Sequence, residues 1–198
     1  MLSGLSLCPM EPFIFDHFNF LAPIYDRVIQ PKTPDTLTSL MKLSPPDLLL
    51  DVGGGTGRIS QYFSGQVQQI VVADLSFKML GMSQLKDGLS PVNSHSEKLP
   101  FPNETFDRII MVDALHHVCD QQDTANELWR ILKHGGRLII EEPNIHHWAV
   151  KLIAFGEKIA LMRSHFLDPT EIANLFKPFP GETHIHYEDY ISWVVIDK

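Results

Sequence analysis

The chain has 198 residues and carries a formal net charge of −8, from 24 Asp and Glu against 16 Lys and Arg. This acidic balance argues against a general nucleic-acid-binding protein, which normally presents a basic face. With 44% apolar and 20% charged residues, the composition predicts one globular domain over residues 1–198.

Three further features bear on location. The first ten residues contain no Lys or Arg, which is unlike a secretory signal. No apolar run approaches the roughly 18 residues that a membrane-spanning helix needs. Cys8 and Cys119 lack metal-site spacing, so we expect two buried or unreactive thiols. Together these features predict a cytoplasmic protein without a metal site or a transmembrane segment.

Short apolar runs alternate with helical patterns along the chain. The runs are rich in Val, Ile and Leu and are apolar on both faces, which predicts parallel strands covered by helices on both sides. The predicted strands are 48–52, 70–75, 108–113 and 137–141, with a weaker one at 92–96. The predicted helices are 58–63, 76–86, 124–132 and one that begins at Asp168. Repeated βα units indicate a doubly wound α/β domain.

The two ends of this pattern differ from its middle. Residues 183–187 and 191–196 are separated by too few residues for a helical crossover, so we expect an antiparallel hairpin. Residues 1–45 are predicted to form a helical cap, in which the aromatic segment 13–29 either packs on the sheet or covers the ligand cleft. Residues 145–180 are predicted to form a helical insertion near the substrate. Its apolar stripe favours a core-covering helix over the wall of a pocket, and it comprises Trp148, Leu152, Phe155, Ile159, Met162 and Phe166.

The most informative stretch is LLLDVGGGTGR, residues 48–58. A glycine-rich turn after a strand permits positive φ angles and close approach of bare backbone to a ligand. Arg58 stands where a dinucleotide-binding GxGxxG motif needs its third glycine, and the GK[ST] ending of a P-loop is missing. A plain tight turn remains the alternative for the glycines alone. Asp74 follows about 20 residues later at the end of the second predicted strand, where an acid can accept hydrogen bonds from ribose hydroxyls.

Four segments in order resemble the class I S-adenosylmethionine-dependent methyltransferases, most closely the ubiquinone/menaquinone-biosynthesis group. They are DVGGGTGR, VVADLSFKML, SEKLPFPNETFDRIIMVDALHHV and ILKHGGRLIIEEPN, within residues 48–144. The resemblance implies a mostly parallel, seven-stranded Rossmann-like sheet with an antiparallel C-terminal hairpin strand. It also implies S-adenosylmethionine as the methyl donor and S-adenosylhomocysteine as the product.

Residue roles implied by the resemblance follow the motifs. The turn would surround the methionine part of the cofactor, Asp74 would hold the ribose, and Leu75 and Met79 would face the adenine. His95 stands where relatives have an aspartate that accepts from the adenine amino group, a departure that weakens this contact. The cofactor-binding residues implied are Tyr25, Asp51, Gly53, Gly54, Gly55, Gly57, Asp74, Leu75, Met79, Ser96, Glu97 and Asp113.

Catalysis by a side chain is less clearly indicated. His116 and His117, in the stretch DALHHV, are candidates for a general base, although packing beside the cofactor explains them as well. His146 and His147 follow the fifth predicted strand and are explained adequately as surface residues. Methyl transfer from a sulfonium needs mainly alignment and desolvation of the reactants, so no base is required in general.

The sequence thus predicts a methyltransferase that acts on a small, apolar or aromatic acceptor. A lipophilic acceptor would allow peripheral membrane contact, and the oligomeric state stays open. Two alternatives remain: a non-catalytic binding protein that retains the fold, and a nicotinamide-dependent oxidoreductase suggested by the glycines and Asp74.

Overall fold

The computed structural model describes residues 35–144 and 165–198. Seven strands form one sheet in the order β3-β2-β1-β4-β5-β7-β6. Strands β1 to β5 pair in parallel, whereas β7 is antiparallel to both β5 and β6. The strands are β1 Leu48–Val52, β2 Gln69–Asp74, β3 Leu89–Asn93, β4 Phe106–Val112, β5 Leu132–Pro143, β6 Glu182–Glu188 and β7 Ile191–Asp197. The predicted doubly wound sheet with a C-terminal hairpin is confirmed.

Helices cover both faces of this sheet. They are α1 Asp35–Met41, α2 Phe77–Ser83, α3 Gln121–Ile131 and α4 Pro169–Leu175, with 3₁₀ turns at Ser60–Phe63 and Leu115–His117. Three of the helices begin at a side-chain cap. Ser76 accepts from the Met79 amide and Asp120 from the Asp123 amide, while Asp168 and Glu171 form a capping box. Such caps satisfy backbone donors that the first helical turn leaves unpaired.

Neighbouring residues of one strand supply two separate cores. Leu49 faces the side on which α1 contributes Leu37 and Met41, while Leu50 faces the side covered by α3 and α4. Leu49 and Leu50 are both fully buried. Because side chains alternate across a strand, a central strand buried on both faces must be apolar throughout, as the sequence pattern predicted.

Several predicted boundaries are wrong. Strand β3 is Leu89–Asn93 rather than 92–96, because it is a partly exposed edge strand and tolerates Pro91, which reads as a strand breaker. Only a 3₁₀ turn forms within the predicted helix 58–63. Strand β5 begins at Leu132, directly after α3 ends. Cys119 is disulfide-bonded, so the expectation of a thiol is wrong for this residue.

Some expectations fall outside the described residues. They concern the segment 13–29, Tyr25, the histidines at 146 and 147, and the apolar stripe from Trp148 to Met162. Within the described ranges, no helix is long and apolar enough to cross a membrane. The same ranges hold no group of three or more His, Cys, Asp or Glu side chains placed to bind a metal ion.

Candidate active site at the carboxyl edge of the sheet

The carboxyl ends of β1, β2, β4 and β5 meet at one edge of the sheet. From β1 the chain runs outward through β2 and β3, then returns to place β4 on the other side of β1. Ligands of open α/β sheets bind at such a switch point, beyond the carboxyl ends of the strands. The candidate site is therefore the turn after β1 together with the ends of its two neighbours.

The turn after β1 adopts a backbone that requires glycine. Gly53, Gly55 and Gly57 have φ angles of 71°, 55° and 69°, in the left-handed region that other residues rarely adopt. The Gly53 amide donates to the Ala73 carbonyl at 2.7 Å. A Cβ atom on Gly53 would lie 2.5 Å from the Ala114 Cβ atom. Gly53 is thus the point where the turn after β1 touches the turn after β4.

Asp51 lies beneath this turn and is only 1% exposed. The Ser60 hydroxyl donates to its Oδ2 atom at 2.5 Å, and Gly54 leaves the space directly over the carboxyl group. Burial raises the pKa of Asp51 to about 6, and the nearby Asp74 adds to the rise while Ser60 opposes it. A cation placed above this carboxylate would stabilise its ionised form, because a nearby opposite charge lowers the pKa of an acid.

Asp74 ends β2 beside the glycine turn. Its Oδ2 atom accepts from the Gly55 amide at 2.9 Å and its Oδ1 atom from the Ser76 amide at 2.7 Å. The Asn93 side-chain amide donates to the carbonyls of Asp74 and Leu75. A carboxylate oxygen can accept more than one hydrogen bond. These hydrogen bonds therefore orient the Asp74 carboxylate before any ligand binds. Its oxygens can accept further hydrogen bonds from the hydroxyl groups of a ligand.

The side chains near Asp74 divide into an exposed and a buried one. Leu75 is 57% exposed, whereas Met79 is 3% exposed and lies close to Gly55. Ser96 hydrogen-bonds both Glu97 and Thr124, and Glu97 accepts from the amides of Cys119 and Asp120. The Glu97 carboxylate therefore joins the loop after β3 to the start of α3. His95 is exposed.

Asp113 occupies the matching position at the end of β4. Its φ angle of 51° is unusual for a residue with a side chain. Its amide donates to the Glu141 carbonyl at 3.0 Å, and its carboxylate lies 3.4 Å from the Arg58 guanidinium. The Asp113 side chain is 42% exposed. Its partial burial and then the Glu142 carboxylate raise its pKa, against the effect of Arg58. The contact with Arg58 places this carboxylate beside the glycine turn.

Strand β5 contributes two further carboxylates. Glu142 accepts from the amides of Ala114 and Leu115 at 3.2 and 2.7 Å, and its other oxygen lies 2.5 Å from His116 Nδ1. Glu141 accepts from the Trp193 indole at 2.6 Å. Burial, with Asp113 as the next cause, raises the pKa of Glu141 to about 7.

The two histidines of the turn after β4 differ in setting. His116 is 5% exposed, and its ring stacks on Phe166 with a centroid distance of 4.2 Å. His117 is half-buried, and burial with the adjacent His116 lowers its pKa to about 3. A histidine with that pKa is neutral near pH 7 and accepts a proton poorly. The lowered pKa of His117 therefore argues against its acting as a general base.

The arrangement suits a small cationic ligand with a hydroxylated sugar. Asp51, Asp113 and Glu141 lie near Arg58, and Asp74 lies beside the glycine turn. S-adenosylmethionine carries an ammonium group, a sulfonium group and a ribose, so the carboxylates and the positive-φ turn fit it. A nucleotide phosphate would meet repulsion here.

Comparison with known proteins agrees with this geometry. Residues 50–140 match the family model described as "Methyltransferase domain". This segment resembles a methyltransferase domain. The chain is 38% identical over 104 residues to the ubiquinone/menaquinone biosynthesis C-methyltransferase UbiE of Psychromonas ingrahamii, a match that covers 48% of this chain and 41% of the relative. The chain therefore spans about two fifths of that relative's length.

Solved structures share the fold of this chain. A chain of the complex between the Haloferax volcanii Trm112 methyltransferase activator and its methyltransferase superposes with a TM-score of 0.79, at 16% identity, over 93% of this chain and 99% of that one. A SAM-dependent methyltransferase from Thermotoga maritima gives a TM-score of 0.76 at 20% identity, over 92% of this chain and 99% of that one.

The fold brings most of the predicted site residues to one edge of the sheet. Asp51, the glycines, Asp74, Leu75, Met79 and Asp113 lie at or just after the carboxyl ends of β1, β2 and β4, and their contacts with the cofactor remain predictions. Sequence reasoning missed Ser60, Asn93 and Glu142 as residues that hold site groups in place. Of these, only Glu142 could have been found from the sequence, because it is an acidic residue at the end of a predicted strand.

Proposed function

We propose that the chain is an S-adenosylmethionine-dependent methyltransferase that acts on a small acceptor. The observation that carries the proposal is the pairing of the left-handed glycine turn over buried Asp51 with Asp74 held 2.9 Å from the Gly55 amide. The match of residues 50–140 to a methyltransferase domain supports the same function.

Each side chain has a role in this proposal. Asp74 accepts from the ribose hydroxyls, and the turn from Gly53 to Gly57 passes close to the amino-acid end of the cofactor. Leu75 and Met79 lie at the adenine side, with Ser96 and Glu97 beyond them. Asp113, at the switch point, lies beside the methyl position, and Tyr25 is proposed near the cofactor carboxylate.

The bound cofactor supplies a methyl group on a positively charged sulfur, which leaves as a neutral thioether. The residues of this chain then have to align the acceptor and exclude water, which together lower the barrier for displacement. The carboxylates around Arg58 balance the positive charges of the donor before transfer. We place the acceptor against residues 1–45 and 145–180, the proposed cap and insertion of a single domain.

The acceptor class is the finer part of the proposal. The relative from Psychromonas ingrahamii is described as a ubiquinone/menaquinone biosynthesis C-methyltransferase, which makes hydroxylated aromatic and quinol compounds the first acceptors to test. Transfer to a carbon of such a ring requires loss of the ring proton, and His116 is the residue near the methyl position that we propose as a candidate acceptor of it. The site is compatible with a cytoplasmic enzyme that meets lipophilic acceptors at a membrane surface.

The test uses purified full chain and S-adenosylmethionine labelled in its methyl group. We expect transfer of label to at least one member of a panel of hydroxylated aromatic and quinol acceptors, with Asp74→Ala as the inactive control. Saturable binding of S-adenosylhomocysteine without transfer to any acceptor would instead support the non-catalytic alternative. Saturable binding of NADH without binding of either sulfur compound would overturn the proposal.

A further inference from the structure

Glu142 lies behind the candidate site and makes three hydrogen bonds within the protein. Its Oε1 atom accepts from the consecutive amides of Ala114 and Leu115, and its Oε2 atom lies 2.5 Å from the Nδ1 atom of His116. The Glu142 side chain is 5% exposed and that of His116 is 5% exposed. A buried carboxylate with three donors is firmly oriented, because each bond restricts a different direction.

These donors all belong to the turn that follows Asp113. The left-handed backbone of Asp113 and the bond from its amide to the Glu141 carbonyl turn the chain sharply at the end of β4. A non-glycine residue stays in that conformation only where its surroundings enforce it. Glu142 accepts from the amides of the next two residues, so it restrains the turn that begins at Asp113.

His116 connects the same turn to the segment that precedes α4. Its carbonyl accepts from the His165 amide at 2.7 Å, and its ring stacks on Phe166. The Gln121 side-chain amide donates to the carbonyls of both Leu115 and His165. The turn is therefore held from β5 on one side and from residues 165–166 on the other.

We infer that Glu142 and His116 form a buried positioning pair that fixes the turn after β4 and thereby holds Asp113 in register with the methyl donor. The inference rests on the proposed function. It assigns Glu142 no contact with the reacting atoms, and its effect on cofactor and rate passes through Asp113.

A second consequence is electrostatic. The charged groups that face Asp113 are Arg58 from the turn after β1, Glu141 and Glu142 from β5, and His116 from its own turn. Glu142 contributes to the raised pKa of Asp113. Removal of that charge in Glu142→Gln lowers the pKa of Asp113, so the pH midpoint of cofactor binding moves to lower pH.

The experiment is a double-mutant cycle on S-adenosylmethionine affinity, measured by calorimetry from pH 5.5 to 8.5. Wild type, Glu142→Gln, Asp113→Asn and the double variant are compared. We expect Glu142→Gln alone to weaken binding about tenfold at pH 8, by misdirecting the Asp113 carboxylate. In the Asp113→Asn background we expect less than about a twofold further loss.

Glu127 provides a matched control. Like Glu142 it accepts a backbone amide, that of Leu99, and pairs with a basic side chain, Arg130. Glu127→Gln should lower thermal stability while it leaves the affinity and its pH midpoint unchanged. Glu142→Asp, which keeps the charge but shortens the side chain, should retain the wild-type pH midpoint with weakened binding.

Each outcome has one meaning. Coupled losses with a midpoint shift in Glu142→Gln support the positioning pair. Independent losses that multiply in the double variant, or loss of affinity that only follows loss of folded protein, overturn it while the proposed function stands. His116→Gln keeps the test decisive if Glu142→Gln does not fold, because it removes the other half of the pair and should show the same coupling to Asp113. Failure of wild type to bind either S-adenosylmethionine or S-adenosylhomocysteine overturns the proposed function and the inference together.

Discussion

The two halves of the site edge are built by different means. The β1–β2 side is built from local backbone. It consists of a left-handed glycine turn and of Asp74, which accepts hydrogen bonds from the amides of Gly55 and Ser76. The β4–β5 side is built from carboxylates that bind groups distant in the sequence, such as Glu142, which accepts from the Ala114 amide 28 residues away. The first half is shaped before any ligand arrives, whereas the second is charged and sensitive to protonation.

The largest effect is expected where the halves touch. Gly53→Ala would place a Cβ atom 2.5 Å from the Ala114 Cβ atom, at a φ angle of 71°. Left-handed strain costs about 1–2 kcal/mol and the collision about 1–3 kcal/mol more, so we expect the free energy of unfolding to fall by about 3 kcal/mol. Urea unfolding measures it. Gly65→Ala is the matched control, since Gly65 has a φ angle of 78° and no atom within 4 Å of the added Cβ. Equal losses of unfolding free energy in Gly53→Ala and Gly65→Ala would show that contact with Ala114 adds nothing to the cost at residue 53.

The next prediction concerns the backbone-built half alone. Asp74→Ala removes the carboxylate proposed to hold the ribose, and charge-assisted hydrogen bonds are worth about 1.5–3 kcal/mol each. We expect affinity for S-adenosylhomocysteine to fall about 100-fold in calorimetry. The exposed Asp87→Ala is the control for a lost charge. A change of less than about threefold in Asp74→Ala would remove Asp74 from the site.

The charged half predicts a pH dependence of stability without cofactor. The folded pKa of Glu141 is about 7 and that of Asp51 about 6, both above their ordinary values. A raised acid pKa means that the folded state binds more protons, so stability falls as pH rises from about 4.5 to 7. Glu141→Gln should flatten this fall by about 2 kcal/mol between pH 5 and 8, at about 1.4 kcal/mol per pKa unit. Guanidinium unfolding at the two pH values checks it, with Glu188→Gln on the exposed face of β6 as control. An equal change of stability with pH in wild type and Glu141→Gln would contradict a partly buried Glu141 whose pKa is about 7.

The smallest effect is expected at the adenine side. His95 is exposed and stands where related enzymes are expected to have an aspartate. His95→Asp should strengthen cofactor binding about threefold, because one added hydrogen bond contributes about 0.5–1.5 kcal/mol. His95→Asn separates the geometry of the acceptor from its charge. Weaker binding by both variants would mean that His95 itself contacts the ligand.

The same contrast explains what could be read from the sequence. Continuous apolar runs and glycine spacing are local, so β1, β2, the hairpin and the turn at residues 53–57 were predicted correctly. The predicted position of β3 was wrong, because an edge strand that contains Pro91 lacks a continuous apolar run. Glu142 and Ser60 act through partners that only the folded sheet brings close, and the bond of Cys119 is likewise invisible in residue spacing.

We propose that the edge formed by β1, β2 and β4 holds S-adenosylmethionine. A crystal structure of the chain with S-adenosylhomocysteine tests it most directly. We expect ribose hydroxyls within hydrogen-bond distance of the Asp74 carboxylate, and the amino-acid end of the ligand over the turn from Gly53 to Gly57. Ligand bound elsewhere, or bound with the ribose away from Asp74, would contradict it.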